Sequence, residues 1–565
     1  MIISAFILGM AYIFYGRFLA KIWKIDPARK TPAHEFEDGK EYVPTSPSVV
    51  FGHEFASIAG AGPINGPIIA AMFGWAPVIL WLLLGSVFLG AVHDFAALYS
   101  SVKNKGKSIG YIIELYVGKT GKRLFLVFVW LFSILIAAAF ADIVAGTFGT
   151  LENSEQTITN ASVASSSILF IIAAIGLGFL IRKRKTSDTA SGIIAIDLLI
   201  VCIVLGIFFP VFLPKTLWLY IVFAYILIGS LVPVWVLGQP RNYLNSFLLI
   251  AMIVAAFIGV VVINPEIKIP AFTGFNVNGN YLFPALFITI ACGAISGFHS
   301  LVATGAASKQ ISHEKYMLPI SYGAMLVETL VAVLALIAVG SAVGGVLPAD
   351  PPPVVFAKAV SSFLSQLGLP SHVSFTIVSL AVSSFVLTTL DTVARLGRLA
   401  FQELFTNIED ESYLNTAEQE NSLQKKNSFS ITGLLRSKTA AAFLTMGPAF
   451  LLAIIGYQNI WTLFGAANQL LAALTLIACT MFFRKTGRRI IMLLIPTIIM
   501  LIVTFSSLSL TVYDRLIQLW KIWHGNTEFN VAVTVLQTGI AILLLVLGIL
   551  VSFACAKKFV EKKVV

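Results

Sequence analysis

His53 beside Glu54, and His93 beside Asp94, are adjacent imidazole and carboxylate side chains set inside apolar stretches. An ionisable group at the centre of a bilayer costs at least ~2.5 kcal/mol, so each needs a partner or a task. Imidazole titrates near neutral pH and a neighbouring carboxylate tunes it, so the two pairs read as a proton relay or a cation site. A structural network of salt bridges and hydrogen bonds accounts for the same residues equally well. Two histidines and two carboxylates also offer donors to a transition metal, with His53, His93 and Asp94 as candidate ligands, although their spacing matches no defined ligand motif. Further along stand His299, then Glu328, which joins His53, Glu54, His93 and Asp94 as a candidate member of the proton-coupling or polar cluster, and Asp391, the last four residues before Arg395 and so placed to pair with it on one helix face. Ser383, Ser384 and Thr388 precede Asp391 on the same apolar run. Hydroxyls of this kind, with freed backbone carbonyls, make a hard-cation site of the sodium type, or else bond back to their own helix.

The element that must position the first pair is the stretch 51–67, FGHEFASIAGAGPINGP. It lies in an apolar segment long enough to cross a bilayer and reads as a broken membrane helix. Gly60, Gly62, Pro63, Gly66 and Pro67 withdraw helix propensity, roughly 3 kcal/mol at each proline, so carbonyls near the membrane middle lose their partners. Such groups survive only where protein or a polar cavity satisfies them. With Ser57 and Asn65 alongside, the break is a candidate binding site.

The whole chain supports a membrane setting. Of 565 residues 58% are hydrophobic and 12% charged, and the mean hydropathy is +0.90. That excludes a soluble multidomain protein and predicts an all-α polytopic one. Windows of roughly 20 apolar residues predict about fifteen spans. The formal net charge of +11 comes from Lys and Arg gathered at the ends of apolar runs, which are topology signals and not a nucleic-acid surface. One set of loops carries clusters such as 182–185 and 484–489, while 151–165 has no basic residue. The positive-inside rule then puts the N-terminus outside and the C-terminus in the cytoplasm. The first apolar run, 2–20, lacks a basic leader and a cleavage site and reads as an anchor helix. Cys202, Cys292, Cys479 and Cys555 all lie in apolar segments at unrelated spacings, which fits inert core residues. Two polar connections, 24–47 and 402–438, read as mobile cytoplasmic loops, 354–367 as a short outer helix, and 512–530 as an amphipathic interfacial helix.

A second interrupted segment at 281–308 carries CGAISGFHSLVATGAAS, again joining glycine, an aromatic and a histidine. An odd number of spans separates the two starts, so the two segments enter the membrane from opposite sides. Paired interrupted helices in halves of opposite topology point to a secondary transporter with its site between the repeats; close packing through small residues is the plainer reading. The second segment adds Gly297, His299, Ser300 and Thr304 to the candidate substrate and ion site. Asn468 and Gln469, in the thirteenth span, are expected to bridge helices. The layout is then 1–47 anchor helix and loop, 48–264 first repeat with connecting helices, 282–483 second repeat, and 488–565 peripheral helices. No Walker A, Gly-x-Ser-x-Gly or His-Glu-x-x-His pattern occurs, so neither an ATP-driven pump nor an enzyme is expected, and no cofactor.

The segments GHEFASIAGAGPINGP at 52–67, GAVHDF at 90–95, GAISGFHSL at 293–301, Lys309 with Gln310, LDTVARLGR at 390–398 and FGAANQLLA at 464–472 resemble the carbon starvation protein A (CstA) family. The resemblance spans some three quarters of the chain. It implies an inner-membrane secondary transporter for nutrient uptake under carbon limitation, with peptides or pyruvate as substrates. It also implies a LeuT-like core of two five-helix inverted repeats, to which further helices are added. The chain departs from the family pattern at Glu54, where a second histidine is common, and at His93. The combined expectation is a symporter coupled to protons or sodium, with membrane lipid as its surroundings and no nucleic-acid partner. A membrane starvation sensor is the rival, and it would need an output domain that the short 402–438 loop does not supply.

Overall fold

The computed structural model describes residues 1–39, 41–150, 155–184, 188–232, 236–342, 350–405, 431–524 and 530–560. Among the described residues the regular structure is helical, apart from a small hairpin pairing Asn276–Val277 with Asn280–Tyr281. Among the described residues, ten helices are long and apolar enough to cross a membrane, or eleven if one bent pair is a single span. Three shorter apolar helices and the interrupted segment after the hairpin occupy the other places where the hydropathy predicts spans.

In chain order, α1 is Ile2–Ile22, and α2, Pro47–Ile58, is followed after a break by α3, Gly62–Ala70. Next come α4 (Trp75–Lys103), α5 (Lys119–Phe148), α6 (Glu155–Arg184), α7 (Asp188–Phe208), α8 (Lys215–Leu231) and α9 (Gly238–Ile263). After the hairpin, α10 (Leu282–Thr289) and α11 (Gly297–Gly305) flank the second break. Then follow α12 (Ala324–Ala342), α13 (Pro352–Gln366), α14 (Ser371–Glu403), α15 (Lys438–Ala453), α16 (Tyr457–Lys485), α17 (Ile491–Trp523) and α18 (Val531–Val560).

The packing pattern repeats. The first broken helix leans α2 on α9, and the second leans α11 on α16. The long helices α5 and α14 pack along each other as the centre of the scaffold, and α2 also touches α14. Such close packing is available because small residues line the contacts, which in lipid replaces the hydrophobic drive between helices. The expected outer helix 354–367 is α13, begun by Pro352 and Pro353 in its first turn, where a missing N–H costs nothing.

Two expectations change. The segment 24–47 is not a loose loop. It holds a helical turn, Pro32–Glu35, and lies along the chain that follows α11: Val43 and Thr45 N–H donate to the carbonyls of Lys309 and Gln310, and the Thr31 hydroxyl donates to Ser312. Its backbone groups thus find partners that a free loop would have to take from water. The part of 512–530 up to Trp523 is not a separate interfacial helix, because α17 runs unbroken to that residue with nothing after Pro496 to stop it, and 525–529 lie outside the described residues. The central part of 402–438 lies outside the described residues.

Candidate substrate and coupling site

Successive residues on a helix point about 100° apart, so the neighbours His53 and Glu54 on α2 cannot face the same partner. His53 turns to α9, where its Nδ1 lies 3.0 Å from Asn242 Nδ2. Glu54 turns inward and is 2% exposed. There it comes within electrostatic reach of Asp94 on α4 and His299 on α11.

Asp94 is the hub. Its Oδ1 lies 2.7 Å from His93 Nδ1 and its Oδ2 2.8 Å from His299 Nδ1. His299 presents its other nitrogen 3.2 Å from Glu328 Oε2 on α12. One carboxylate thus holds two imidazoles, and a second carboxylate backs one of them, with no member more than 2% exposed. With Asp94 ionised, both rings donate to it from Nδ1. The cluster gathers four helices, and it differs from the set the sequence suggests in two members: His53 is outside, while His299, expected at the substrate site, is inside beside Glu328. The three proposed metal ligands do not converge, and among the described residues no three His, Cys, Asp or Glu groups are arranged to hold a metal ion.

The two breaks meet beside this cluster. In the first, Ala59 leaves the helix with ψ 65°. The Ser57 carbonyl accepts the Thr389 hydroxyl of α14 at 3.3 Å, while the Ser57 hydroxyl donates back to the His53 carbonyl. A Cβ on Gly60 would stand 2.7 Å from Thr389 Oγ1, and one on Gly66 2.7 Å from the Thr289 carbonyl at the end of α10. Gly62 is pressed against Cys292 in the same way. Pro63 occupies the first turn of α3, where its fixed φ suits the restart. Asn65, two residues on, is fully buried, and neither its amide oxygen nor its nitrogen has a hydrogen-bond partner among the described residues.

In the second break, Ile295 and Ser296 are extended and α11 starts at Gly297, packed on the backbone of α16. Asn468 Oδ1 accepts the Phe298 N–H at 3.0 Å and its amide nitrogen donates to the Ser296 hydroxyl. Gln469 donates to the Phe287 carbonyl. Asn468 and Gln469 therefore bridge helices, as expected. The α11 N-terminus has one donor taken by Asn468. Ser300 and Thr304 bond back to the carbonyls of Gly297 and Ser300, and Ser300 also meets Thr475 at 3.0 Å.

Along α14, Ser383 bonds back to Ser379 and meets Thr147 at 3.1 Å. Thr388 donates to the Ser384 carbonyl and receives the Asn245 amide, which also reaches that carbonyl. The hydroxyl that faces the first break is Thr389. Asp391 does not pair with Arg395. Its Oδ2 accepts Arg241 Nη1 at 2.5 Å and the Tyr225 hydroxyl at 2.7 Å. Arg395 donates to the carbonyls of Gly229 and Val232, at the frayed end of α8 where carbonyls lack helical partners.

The sequence profile described as "Carbon starvation protein CstA" matches residues 1–349 and 341–507. The chain belongs to the carbon starvation protein CstA family. This CstA-family chain is 32% identical to Peptide transporter CstA of Bacillus subtilis, over 99% of its own length and 96% of the relative's. It is 31% identical to Pyruvate/proton symporter BtsT of Escherichia coli, over 92% and 82%. A crystal structure of an Eremococcus coleocola manganese transporter variant superposes with a TM-score of 0.53 at 11% identity, covering 92% of this chain and 99% of that one. The likeness to that structure concerns the fold, which is of the LeuT type, and the family is one of secondary transporters.

Sequence reasoning missed Arg241, Asn242, Asn245 and Tyr225. Arg241 follows Pro240 at the start of an apolar run, so it counts as a topology charge. Nothing in a hydropathy profile distinguishes a basic residue at an interface from one that is 1% exposed.

Proposed function

We propose that this protein is a proton-coupled symporter that takes up a small carboxylate-bearing nutrient, a peptide or a monocarboxylate such as pyruvate, across the cytoplasmic membrane. The reading places the N-terminus outside and the C-terminus inside. The observation that carries it is Asp94, held by His93 and His299 at the meeting of α4, α11 and, through Glu54 and Glu328, α2 and α12. Three carboxylates and two imidazoles in a region shut off from water hold their net charge down by keeping protons among themselves. A change of one proton alters the attraction between the two broken helices and the α4/α12 pair that flanks them. That is the kind of electrostatic event that biases an alternating-access equilibrium.

The substrate would lie at the junction of the breaks. Asn65 offers an amide donor and an amide acceptor there, and the start of α3 carries the positive end of a half-helix dipole toward a carboxylate. The names borne by the relatives, a peptide transporter and a pyruvate/proton symporter, support the substrate class and the coupling ion. Ser57, Gly60, Gly62 and Pro63 shape the approach, and Gly297 with its neighbours forms the opposite wall. The test is uptake of labelled pyruvate and of a labelled dipeptide into proteoliposomes under an imposed proton gradient, with a sodium gradient in parallel. Accumulation driven by the proton gradient is expected for one of the two solutes. Failure of both gradients to drive either solute would overturn the reading.

A further inference from the structure

The hydroxyl-bearing helix α14 has the chemistry of an alkali-cation site, yet Asp391, the carboxylate that follows its hydroxyls, is already taken. Asp391 accepts the Arg241 guanidinium of α9 at 2.5 Å, and Arg241 is 1% exposed. A second guanidinium, Arg395, stands one turn away on α14 and donates to backbone carbonyls of α8. Two guanidinium groups, Arg241 and Arg395, therefore act on the Asp391 carboxylate. The neighbouring hydroxyl is also engaged, because Asn245 donates to Thr388 and to the Ser384 carbonyl that a cation would need. Hard cations require several oxygen ligands, with carboxylates the strongest among them.

We infer that Arg241 is a tethered cation that fills the Asp391 site and excludes sodium from α14. Guanidinium stays protonated at any physiological pH, so this charge does not come and go in the transport cycle as a bound ion or a histidine proton would. The arrangement ties α8, α9 and α14 together through Tyr225, Arg241 and Asp391 in one fixed unit. Asp391 Oδ1, with no hydrogen-bond partner among the described residues, shows that the carboxylate keeps ligating capacity which the guanidinium does not use. Removing the guanidinium would then leave a buried carboxylate beside hydroxyls and carbonyls, which is a cation site in need of its ion.

The inference concerns ion binding and goes beyond the proposal of proton symport, so its test does not depend on transport. The thermal unfolding midpoint of the purified, lipid-reconstituted full-length protein is measured in sodium chloride and in choline chloride at equal ionic strength. The wild type is expected to show no sodium-specific shift. Arg241→Gln is expected to show a saturable upward shift in sodium, and Arg241→Gln combined with Asp391→Asn to lose it. A sodium-specific shift in the wild type that Asp391→Asn removes would overturn the inference, as would a folded Arg241→Gln protein indifferent to sodium. If Arg241→Gln unfolds in both salts, Arg241→Lys carries the test: a lysine keeps sodium out, so a sodium-specific shift there refutes the proposal and its absence supports it.

Discussion

His299 Nδ1 lies 2.8 Å from Asp94 Oδ2, linking α11, the helix that follows the second break, to α4, the helix next after the first broken one. The two residues are 205 positions apart and lie on different helices, α4 and α11. Any motion that separates α4 from α11 must stretch or break this contact.

Asp94→Asn and His299→Gln are therefore expected to abolish gradient-driven accumulation. The loss should reach at least about tenfold in rate, equivalent to ~1.4 kcal/mol, while solute exchange without a gradient persists. Both variants should still elute as monodisperse protein in detergent, because an amide can keep one hydrogen bond in each place. Uptake at the wild-type rate in both would remove the cluster from the mechanism.

His53→Gln should behave differently, although the sequence groups His53 with the coupling residues. Its ring meets Asn242 and stands apart from Asp94, so the variant loses one partly buried hydrogen bond at a cost of about 1 kcal/mol. A lowered thermal midpoint with preserved proton-driven uptake is the expected outcome. A protein of normal stability that no longer couples would restore His53 to the proton path.

Close contact at the breaks predicts an order of tolerance for glycine substitutions. A methyl at Gly66 meets backbone, the Thr289 carbonyl at 2.7 Å, which cannot move aside. At Gly60 it meets the Thr389 side chain at the same distance, and that chain can rotate. Gly66→Ala should destabilise by ~1–3 kcal/mol, as overpacking does, and Gly60→Ala by less. Truncating the neighbour in a Gly60→Ala and Thr389→Ala double variant should recover stability, and no such partner exists for Gly66. Unfolding curves of the three proteins decide this.

The Lys309 ammonium, 2.6 Å from Glu41, holds that carboxyl below its usual range where 24–47 lies against the chain after α11. A carboxyl depressed in the folded state contributes stability at pH values above its unfolded pKa of about 4.3 and loses it as pH falls through the lower folded value. Across the neutral range the pair is intact and does not titrate. Glu41→Gln should thus leave the pH profile of uptake unchanged from pH 5.5 to 8, values well above that of about 4.3. It should speed amide hydrogen exchange within 24–47. Since Glu41 is largely exposed, the effect on the overall thermal midpoint should be small. A displaced pH optimum in this variant would show that the loop pair senses protons.

The sequence alone determined the helical, multi-pass class, the family, and the two interrupted segments, because each rests on local composition: apolar length, proline and glycine breaks, and unusual motifs. It also marked Asp94, His93, Glu54, His299 and Glu328 singly, since an ionisable residue in an apolar run stands out without any knowledge of its neighbours. Which of them meet was decided only by tertiary structure. His53 and Glu54 are adjacent in the chain but diverge by a third of a helical turn, whereas Asp94 and His299 converge from distant helices. The same reason explains Asp391: the residue four places along offered a partner by helical spacing, and the packing of α9 on α14 supplied a different one, Arg241, from 150 residues away. Helical periodicity tells which way a side chain points relative to its own axis, and only the packing of axes tells what it finds there.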